Sequence, residues 1–584
     1  MIKKRILPFK QAVPAILLFQ ILSKAVLALW MILFGLLARL LLFGVGKVAV
    51  SSGDLGFLFT SWQGYLLIAL SIITLFVYLA IDINALIILC GRLLRGEKPS
   101  VLKCIKDGLL SLKKLLNWQG VLIVLYIALL SPILGMGITI SLTSSFYIPS
   151  FITSVIFGNP FYLIGCAVVA LALLIIGNLY VFILHGVLLD NLSMKESAKR
   201  SLALIKKNVK NYLKEMVIFF VVQLLLVAAT YLFAITLPML VMSLQGLSDL
   251  TMAVLATFLF SVSLAILIPL NTFFAPFLIL KLTALYFTYR SDGEWTYQER
   301  KKRVSPLVIV FVIFIAVLIA ALTVMSALFS DDLFRADVKA GIIAHRAGGF
   351  EAAENTAAGI DAAYKYGAYG SEIDIQRTAD GYYVVNHDDT FNRTAGVDKK
   401  PDEMTLEEVK KLRVNGEPVP TLEEMLDSSR DRVTLLVELK GSTADNKMAD
   451  DAVRIIKEKG MVDQTIVISL KYNLIEYIEE TYPEINTGYL AFASFGDTSS
   501  LNCDYLALEE ETATDENIDS IHENGKKIFV WTVDDEDSLK QFMLSDADGI
   551  ITDDVSGAAK LKRELDERPP YRRIIDGLTY MFLQ

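Results

Sequence analysis

Two histidines, His345 and His387, lie in one stretch that also carries Arg346 directly after the first imidazole and the carboxylates Glu372 and Asp374. Imidazole titrates closest to working pH, so a pair of them can serve as general base and general acid. Glu372 and Asp374 sit two apart in the strand-like run SEIDI, and alternate residues of a strand point to the same face. Two carboxylates held side by side repel unless a proton or cation lies between them, and a hard metal with oxygen ligands is the natural partner. Glu438 and Lys440 close the run VTLLVELK with the same two-residue spacing, so they too share a face. His522, in a helix-like stretch away from these residues, reads as a surface side chain, and Glu509, Glu510 and Glu511 read as a solvated acidic loop.

Such side chains need a scaffold that brings distant strand ends together. Eight short apolar runs follow residue 340: 341–345, 371–375, 433–439, 465–470, 486–490, 504–508, 527–532 and 548–552. Amphipathic segments at 354–367, 447–459, 472–482, 514–524 and 535–544 separate most of them, which predicts an α/β TIM-type (β/α)8 barrel over residues 330–584. Two places depart from the pattern. No helix signal separates the fifth and sixth strands between 486 and 508, and residues 382–430 read as an insertion. In such barrels the chemistry gathers at the C-terminal strand ends. His345 ends the first predicted strand, Glu372 and Asp374 lie on the second, Glu438 and Lys440 close the third, Trp531 lies late on the seventh, and Thr552 and Asp553 end the eighth.

The first 329 residues are a different material. They carry 27 Lys and Arg against 11 Asp and Glu, whereas residues 330–584 carry 28 against 52, a net charge of −24. Apolar runs of bilayer length lie near 20–45, 65–90, 119–141, 161–189, 217–243, 252–285 and 306–329, which predicts about seven transmembrane helices in a membrane domain of residues 1–329. The run 252–285 contains Pro269 and Pro276, where a re-entrant pair is the alternative to one span. The N-terminal run is too long for a cleavable signal peptide and reads as a retained anchor. Residues 1–10, 91–118, 191–215 and 286–305 are rich in Lys and Arg, while 46–64, 142–160 and 244–251 are nearly free of them. Basic loops stay cytoplasmic, so an odd number of spans delivers residues 330–584 to the extracellular face of a multi-pass cell-membrane protein. The lysine- and leucine-rich segments 103–117 and 195–214 fit either helices on the cytoplasmic lipid surface or ordinary basic loops. Asp82, Lys281, Arg39 and His185, in or near apolar runs, read as interhelical pairs or snorkelling side chains rather than a transport site. Four scattered cysteines predict neither a disulfide framework nor a zinc site.

Read together, the motifs resemble the glycerophosphodiester phosphodiesterase family over essentially all of 330–584. The family's His-Arg-Gly and Pro-Glu-Asn-Thr stand here as His345-Arg346-Ala347 and Ala353-Glu354-Asn355-Thr356, and its Glu-x-Asp as Glu372-Ile373-Asp374. Its second histidine motif is His387-Asp388 with Arg393-Thr394, followed by Glu438-Leu439-Lys440 and Trp531-Thr532. A multi-span domain ahead of the barrel is similar to the membrane-anchored branch of that family. Ala347 and Ala353 replace a glycine and a proline of the pattern, and neither change removes a titratable group. An alanine at position 347 would be strained if its φ were positive.

The resemblance implies hydrolysis of glycerophosphodiesters to glycerol 3-phosphate and an alcohol, through attack by the glycerol 2-hydroxyl and a cyclic phosphate. It implies one divalent metal ion, Ca2+ or Mg2+, on Glu372, Asp374 and Glu438, with Arg346 and Lys440 against the substrate phosphate. His345 and His387 are the acid–base pair, their roles left open; Glu354 and Asn355 support the site by fixing the start of the first barrel helix rather than by binding metal, and Trp531 packs the barrel or walls the substrate. The expected partners are a glycerophosphodiester or lipid-derived substrate and the lipid bilayer, and nothing in the sequence sets the oligomeric state. Nucleic acid is disfavoured by the acidic balance of the second half. Competing readings are a phospholipase C-like or lysophospholipase D-like lipid phosphodiesterase, and a membrane transporter or scaffold with an accessory barrel.

Overall fold

The structure, a computed structural model, describes residues 9–45, 49–51, 56–123, 126, 159–242, 249–291, 306–328, 338–492, 494–496, 498–568 and 576. Two compact units divide the chain, one of residues 1–38, 65–148 and 153–330, the other of residues 39–64, 149–152 and 331–584.

The first unit is helical. In hydrocarbon every backbone N–H and C=O must be satisfied within the segment, so apolar runs of this length form helices. Among the described residues, five helices are long and apolar enough to cross a membrane: Ala12–Phe43, Trp62–Leu94, Pro160–Leu189, Met194–Phe233 and Thr257–Arg290. A further apolar helix spans Pro306–Leu328. Most of the predicted span 119–141 lies outside the described residues. The run containing Pro269 and Pro276 is one continuous helix, Asp249–Arg290, so the re-entrant alternative is not what forms. Asp82 meets Lys24 at 3.1 Å, Lys281 pairs with Glu215, and His185 Nε2 lies 3.1 Å from Thr283 Oγ1. Arg39 is exposed four residues before its helix ends.

The second unit is the expected barrel. Its strands, in chain order, are β1 (Ala49–Ser51), β2 (Gly341–Ala344), β3 (Gly370–Arg377), β4 (Tyr383–Val385), β5 (Arg413–Val414), β6 (Glu417–Pro418), β7 (Thr434–Leu439), β8 (Thr465–Ser469), β9 (Asn486–Ala491), β10 (Ser494–Gly496), β11 (Tyr505–Glu509), β12 (Lys527–Trp531) and β13 (Gly549–Thr552). Eight of them pair in parallel in the order β2-β3-β7-β8-β9-β11-β12-β13, and β13 returns to β2 to close the ring. Ile343, Leu436, Ile466, Ile468, Tyr505, Phe529 and Ile551 fill its interior, with Tyr505 stacked on Phe529 at 4.9 Å between ring centroids. The outer strand faces pack on amphipathic helices. In Asn446–Glu458, Asp445 caps the first turn by accepting from Met448 N, and Met448, Ala452, Val453 and Ile456 are buried.

The two irregular stretches behave as their sequences suggested. β9 and β11 are joined by β10 and a short 3-10 turn, Thr498–Ser500, among the described residues there. The 382–430 insertion adds β4 antiparallel to the end of β3 and builds a small core of its own from Val384, Phe391, Met404, Val409, Val414 and Val419. One pairing has no counterpart in the sequence reading: β1, from the loop after the first long helix, lies antiparallel to β10, with Val50 opposite Phe495.

Candidate active site

The acid cluster follows from strand register. Asp374 and Glu438 are directly opposite each other on β3 and β7, and Glu372 lies one inward position earlier on β3. Leu436, two residues before Glu438, belongs to the barrel interior, so alternation carries Glu438 into the barrel at its C-terminal end. All three acids are buried, and each offers a carboxylate oxygen within 4.8 Å of the others. Lys440 Nζ lies among them, 2.8 Å from Asp374 Oδ1 and 3.1 Å from Glu438 Oε2. The ammonium that sequence reasoning aimed at a phosphate is thus engaged by two carboxylates.

One lysine against three acids leaves the cluster under-compensated. Burial, then the charge of Asp374, pushes Glu372 up to about 7. Burial likewise pushes Glu438 up to about 8, Lys440 offsetting only part of it. For Asp374 burial works in the same direction, but Lys440, His387 and the Asn355 amide outweigh it and hold it well below the usual carboxylate range. Glu372 Oε2 accepts from Arg346 N at 2.9 Å, while the buried Oε1 has no hydrogen-bond partner. An orphaned acidic oxygen beside two more carboxylates fits a hard divalent cation.

The imidazoles arrive from different directions, and each is held at Nδ1 by an aspartate. His345 follows β2 and lies 2.9 Å from Asp553 Oδ1, which stands 208 residues away beyond β13. Burial lowers its pKa, but the hydrogen bond and charge of Asp553, with Glu372 behind, outweigh this and raise the group. His387 leaves the end of β4, with Nδ1 2.9 Å from Asp388 Oδ1. Burial there prevails over the pull of Asp374, aided by Lys440 and Arg346, and the pKa falls. With Nδ1 engaged in both rings, Nε2 is the atom left to move protons.

Arg346 and Ala347 turn the chain between these groups with φ of 47° and 74°, both left-handed. The strain foreseen at Ala347 is therefore present. Its methyl group is buried against Gly359, where a Cβ would come within 2.7 Å of it, and its N–H and C=O are pinned to Glu372 O and Ser371 Oγ. The buried Nε of Arg346 has no hydrogen-bond partner, which suits an anion at this position. Asn355, itself at φ 57°, donates from Nδ2 to Asp374 Oδ2 at 2.8 Å, and so braces a carboxylate rather than capping a helix. Glu354 grips Arg393 through two hydrogen bonds of 2.6 and 2.7 Å, and Arg393 in turn grips Asp388 at 2.7 and 3.0 Å.

Trp531 packs on the barrel interior and donates from Nε1 to Ala507 O at 2.8 Å. Its register partner Glu509 is buried at the end of β11. The solvated-loop reading of 509–511 is thus wrong for Glu509, because the last residue of the strand is still inside the barrel wall. His522 is half-exposed and paired with Asp548 at 2.9 Å. Sequence reasoning did not assign the positioning contacts of Asp553, Asp388 and Arg393; the last two stood in motifs it quoted, and Asp553 was only a polar strand end.

Comparison with known proteins adds to this picture. Residues 345–556 match the glycerophosphoryl diester phosphodiesterase family, and residues 2–324 match the membrane domain of glycerophosphoryl diester phosphodiesterase. A glycerophosphodiester phosphodiesterase of Caldanaerobacter subterraneus subsp. tengcongensis is 30% identical over 246 residues, covering 39% of this chain and 99% of the relative. One from Bacillus altitudinis is 26% identical, covering 38% and 98%. Among solved structures, an Oleispira antarctica phosphodiesterase in complex with the product sn-glycerol-3-phosphate is 26% identical, with 39% and 97% coverage and a TM-score of 0.36. A glycerophosphodiester phosphodiesterase from Parabacteroides distasonis is 25% identical, with 40% and 100% coverage and a TM-score of 0.36.

Proposed function

The chain belongs to the glycerophosphoryl diester phosphodiesterase family, and from that premise we propose that it is a metal-dependent hydrolase of glycerophosphodiesters, working outside the cell from a membrane anchor. Residues 1–329 form the anchor in this reading and 330–584 the catalytic barrel. The observation that carries it is the convergence of Glu372, Asp374 and Glu438 between two aspartate-held imidazoles.

A divalent cation on those three carboxylates supplies Lewis-acid polarisation of a phosphate oxygen and of the glycerol hydroxyls. Three hard oxygen donors suit Ca2+ or Mg2+, and Ca2+ is the more plentiful outside cells. Arg346 neutralises the phosphate with its open Nε, and Lys440 adds a positive charge beside it. One imidazole takes the proton of the glycerol 2-hydroxyl as that oxygen attacks phosphorus, and the other protonates the departing alcohol. Water then opens the cyclic phosphate with the two roles exchanged, leaving glycerol 3-phosphate. Asp553 and Asp388 hold each ring's tautomer and direction through both steps.

The pairing of β1 with β10 supports the membrane orientation. Segments that share a ladder lie on one side of the bilayer, so an even number of spans must separate residue 51 from the barrel. Seven spans in all meet that condition, and the charge-poor loop 46–64 belongs outside by the positive-inside rule.

The test is a product assay on the purified full chain with glycerophosphocholine. Glycerol 3-phosphate should form, cease with chelator, and return with Ca2+ or Mg2+. Release of choline phosphate instead would replace this reading with the phospholipase C-like one. Turnover unaffected by exhaustive chelation would remove the metal from it.

A further inference from the structure

The helical unit encloses a cavity of about 1330 Å³, larger than the roughly 300–1,000 Å³ of ordinary small-molecule pockets. Three helices supply most of its wall: Leu174 and His185 come from Pro160–Leu189, Tyr212 and Phe220 from Met194–Met242, and Phe274 and Leu278 from Asp249–Arg290. Phe220 is 38% and Leu224 67% exposed, so the cavity opens sideways between the helices, toward the surrounding bilayer. Such a wall selects little by itself, because lipid tails are as apolar as the side chains that line it. Any choice among lipids must be made where the lining turns polar.

Lys195 and Lys199 form that polar end. They are one helical turn apart, so both ammonium groups reach the same side of the helix. Their segment is a packed helix rather than a basic loop, since Met194, Ser197, Ser201 and Ile205 are all buried. Ser197 Oγ donates to Ile183 O at 2.6 Å, Ser201 Oγ donates to Leu179 O at 3.0 Å, and Phe182 N donates to Ser201 Oγ at 3.1 Å. Asn208, at φ −122° and ψ 19°, then breaks the helix before it continues along the cavity wall. The acids nearby are already engaged. Glu196 Oε2 accepts from Ser193 N at 3.0 Å and from Ser193 Oγ at 2.7 Å, and Asp190 is held by Arg200 and Arg290. Neither Lys195 nor Lys199 makes an ion pair among the described residues.

We propose that this cavity holds one anionic phospholipid, with its phosphate between Lys195 and Lys199 and an acyl chain along the apolar wall. The site lies outside the phosphodiesterase reading and does not depend on it. Two unpaired ammonium groups suit a phosphate as point charges. The length fits as well. From Tyr212 to Val227 the helix climbs about 22 Å at roughly 1.5 Å per residue, whereas the hydrocarbon of one leaflet is about 15 Å deep, half of a ~30 Å core. Residues 191–215 belong to the basic loops that stay cytoplasmic, and the cytoplasmic leaflet is the one rich in anionic lipid. The apolar wall accommodates the chain, and the two lysines choose the headgroup.

The experiment is native mass spectrometry of the full chain in detergent, titrated with phosphatidylglycerol, with phosphatidylcholine of the same acyl chains, and with inorganic phosphate. One phosphatidylglycerol per chain should bind about tenfold or more tightly than phosphatidylcholine, and inorganic phosphate should not displace it. Lys195→Gln combined with Lys199→Gln should bring phosphatidylglycerol down to the phosphatidylcholine level. Lys206→Gln combined with Lys210→Gln removes the same charge from the same helix at positions that do not line the cavity, and should change binding by less than about twofold. Val227→Trp fills the apolar end and should weaken both lipids by about threefold or more. Circular dichroism checks that each variant is folded, and the two lysine pairs decide the matter even if the tryptophan variant is not. Equal affinity for the two lipids would overturn the proposal. So would displacement by inorganic phosphate, which makes the lysines a free-anion site, or equal losses in the two lysine pairs, which reduces the attraction to diffuse surface charge. Unchanged binding in a folded Val227→Trp chain would overturn it as well, by taking the cavity out of the site. None of these outcomes bears on glycerophosphocholine hydrolysis by the barrel.

Discussion

The helical unit and the barrel mouth both bury charge, and they treat it in opposite ways. Among the helices, Asp82 meets Lys24 and accepts from the Tyr78 hydroxyl at 3.3 Å. Asp190 accepts from Arg200 at 3.2 Å, from the Tyr286 hydroxyl at 2.7 Å and from Arg290, while Glu215 holds Lys281. At the barrel mouth three acids share one lysine, Glu372 Oε1 is left over, and Arg346 Nε has no partner. Burying an uncompensated charge costs several kcal/mol, so compensated pairs mark structure and an uncompensated cluster marks a place that a ligand completes. This is why ionisable residues in apolar runs of the first half do not by themselves indicate a transport site, whereas those at strand ends of the second half indicate chemistry.

That contrast can be broken most sharply at the imidazoles. His345→Ala and His387→Ala should each lower turnover on glycerophosphocholine by a factor of about 10² or more, with the fold retained by circular dichroism. Two single variants of near-wild-type turnover would take the histidines out of the mechanism.

The acid cluster offers the next largest effect, through stability. Without a cation, Glu372 and Glu438 titrate near 7 and 8 in the folded chain, above their ordinary 4.5. The folded state then holds more protons than the unfolded state between these values. Their contribution is fully present below about pH 4.5 and is lost as pH rises through 7 to 8. The melting temperature of chelated protein should fall from pH 5 to pH 9, and Ca2+ or Mg2+ should restore more at the higher pH. A cation effect that did not grow with pH would contradict the under-compensated cluster.

The helical unit should respond the other way. Asp190→Ala leaves two arginines and a tyrosine without their acceptor and should cost about 1–3 kcal/mol of stability. Turnover should not change, because the barrel's charges are independent of it. The smallest effect is expected at Ala347. Replacing it by glycine relieves a left-handed alanine and should stabilise the barrel by about 0.5–1 kcal/mol, read as a small rise in its melting temperature.

Much of this molecule was legible along the chain because the relevant signals are local. Hydropathy over twenty residues predicts spans, strand alternation puts Glu372 with Asp374 and Glu438 with Lys440, and eight apolar runs after residue 340 predicted the eight barrel strands. Other features depend on which distant segments meet. Nothing near position 345 names Asp553 as the acceptor for His345, and nothing at position 509 says that the strand still lies inside the wall. Lys440 turns toward the acids because ring closure and register bring β3 beside β7, and β1 finds β10 across more than four hundred residues. The sequence by itself determined which residue types could do the chemistry and which solvent each half occupies, since composition and periodicity act within a few residues. Only the tertiary structure decided which charges are compensated and which are left for a ligand, because that balance depends on distances set by the closed barrel.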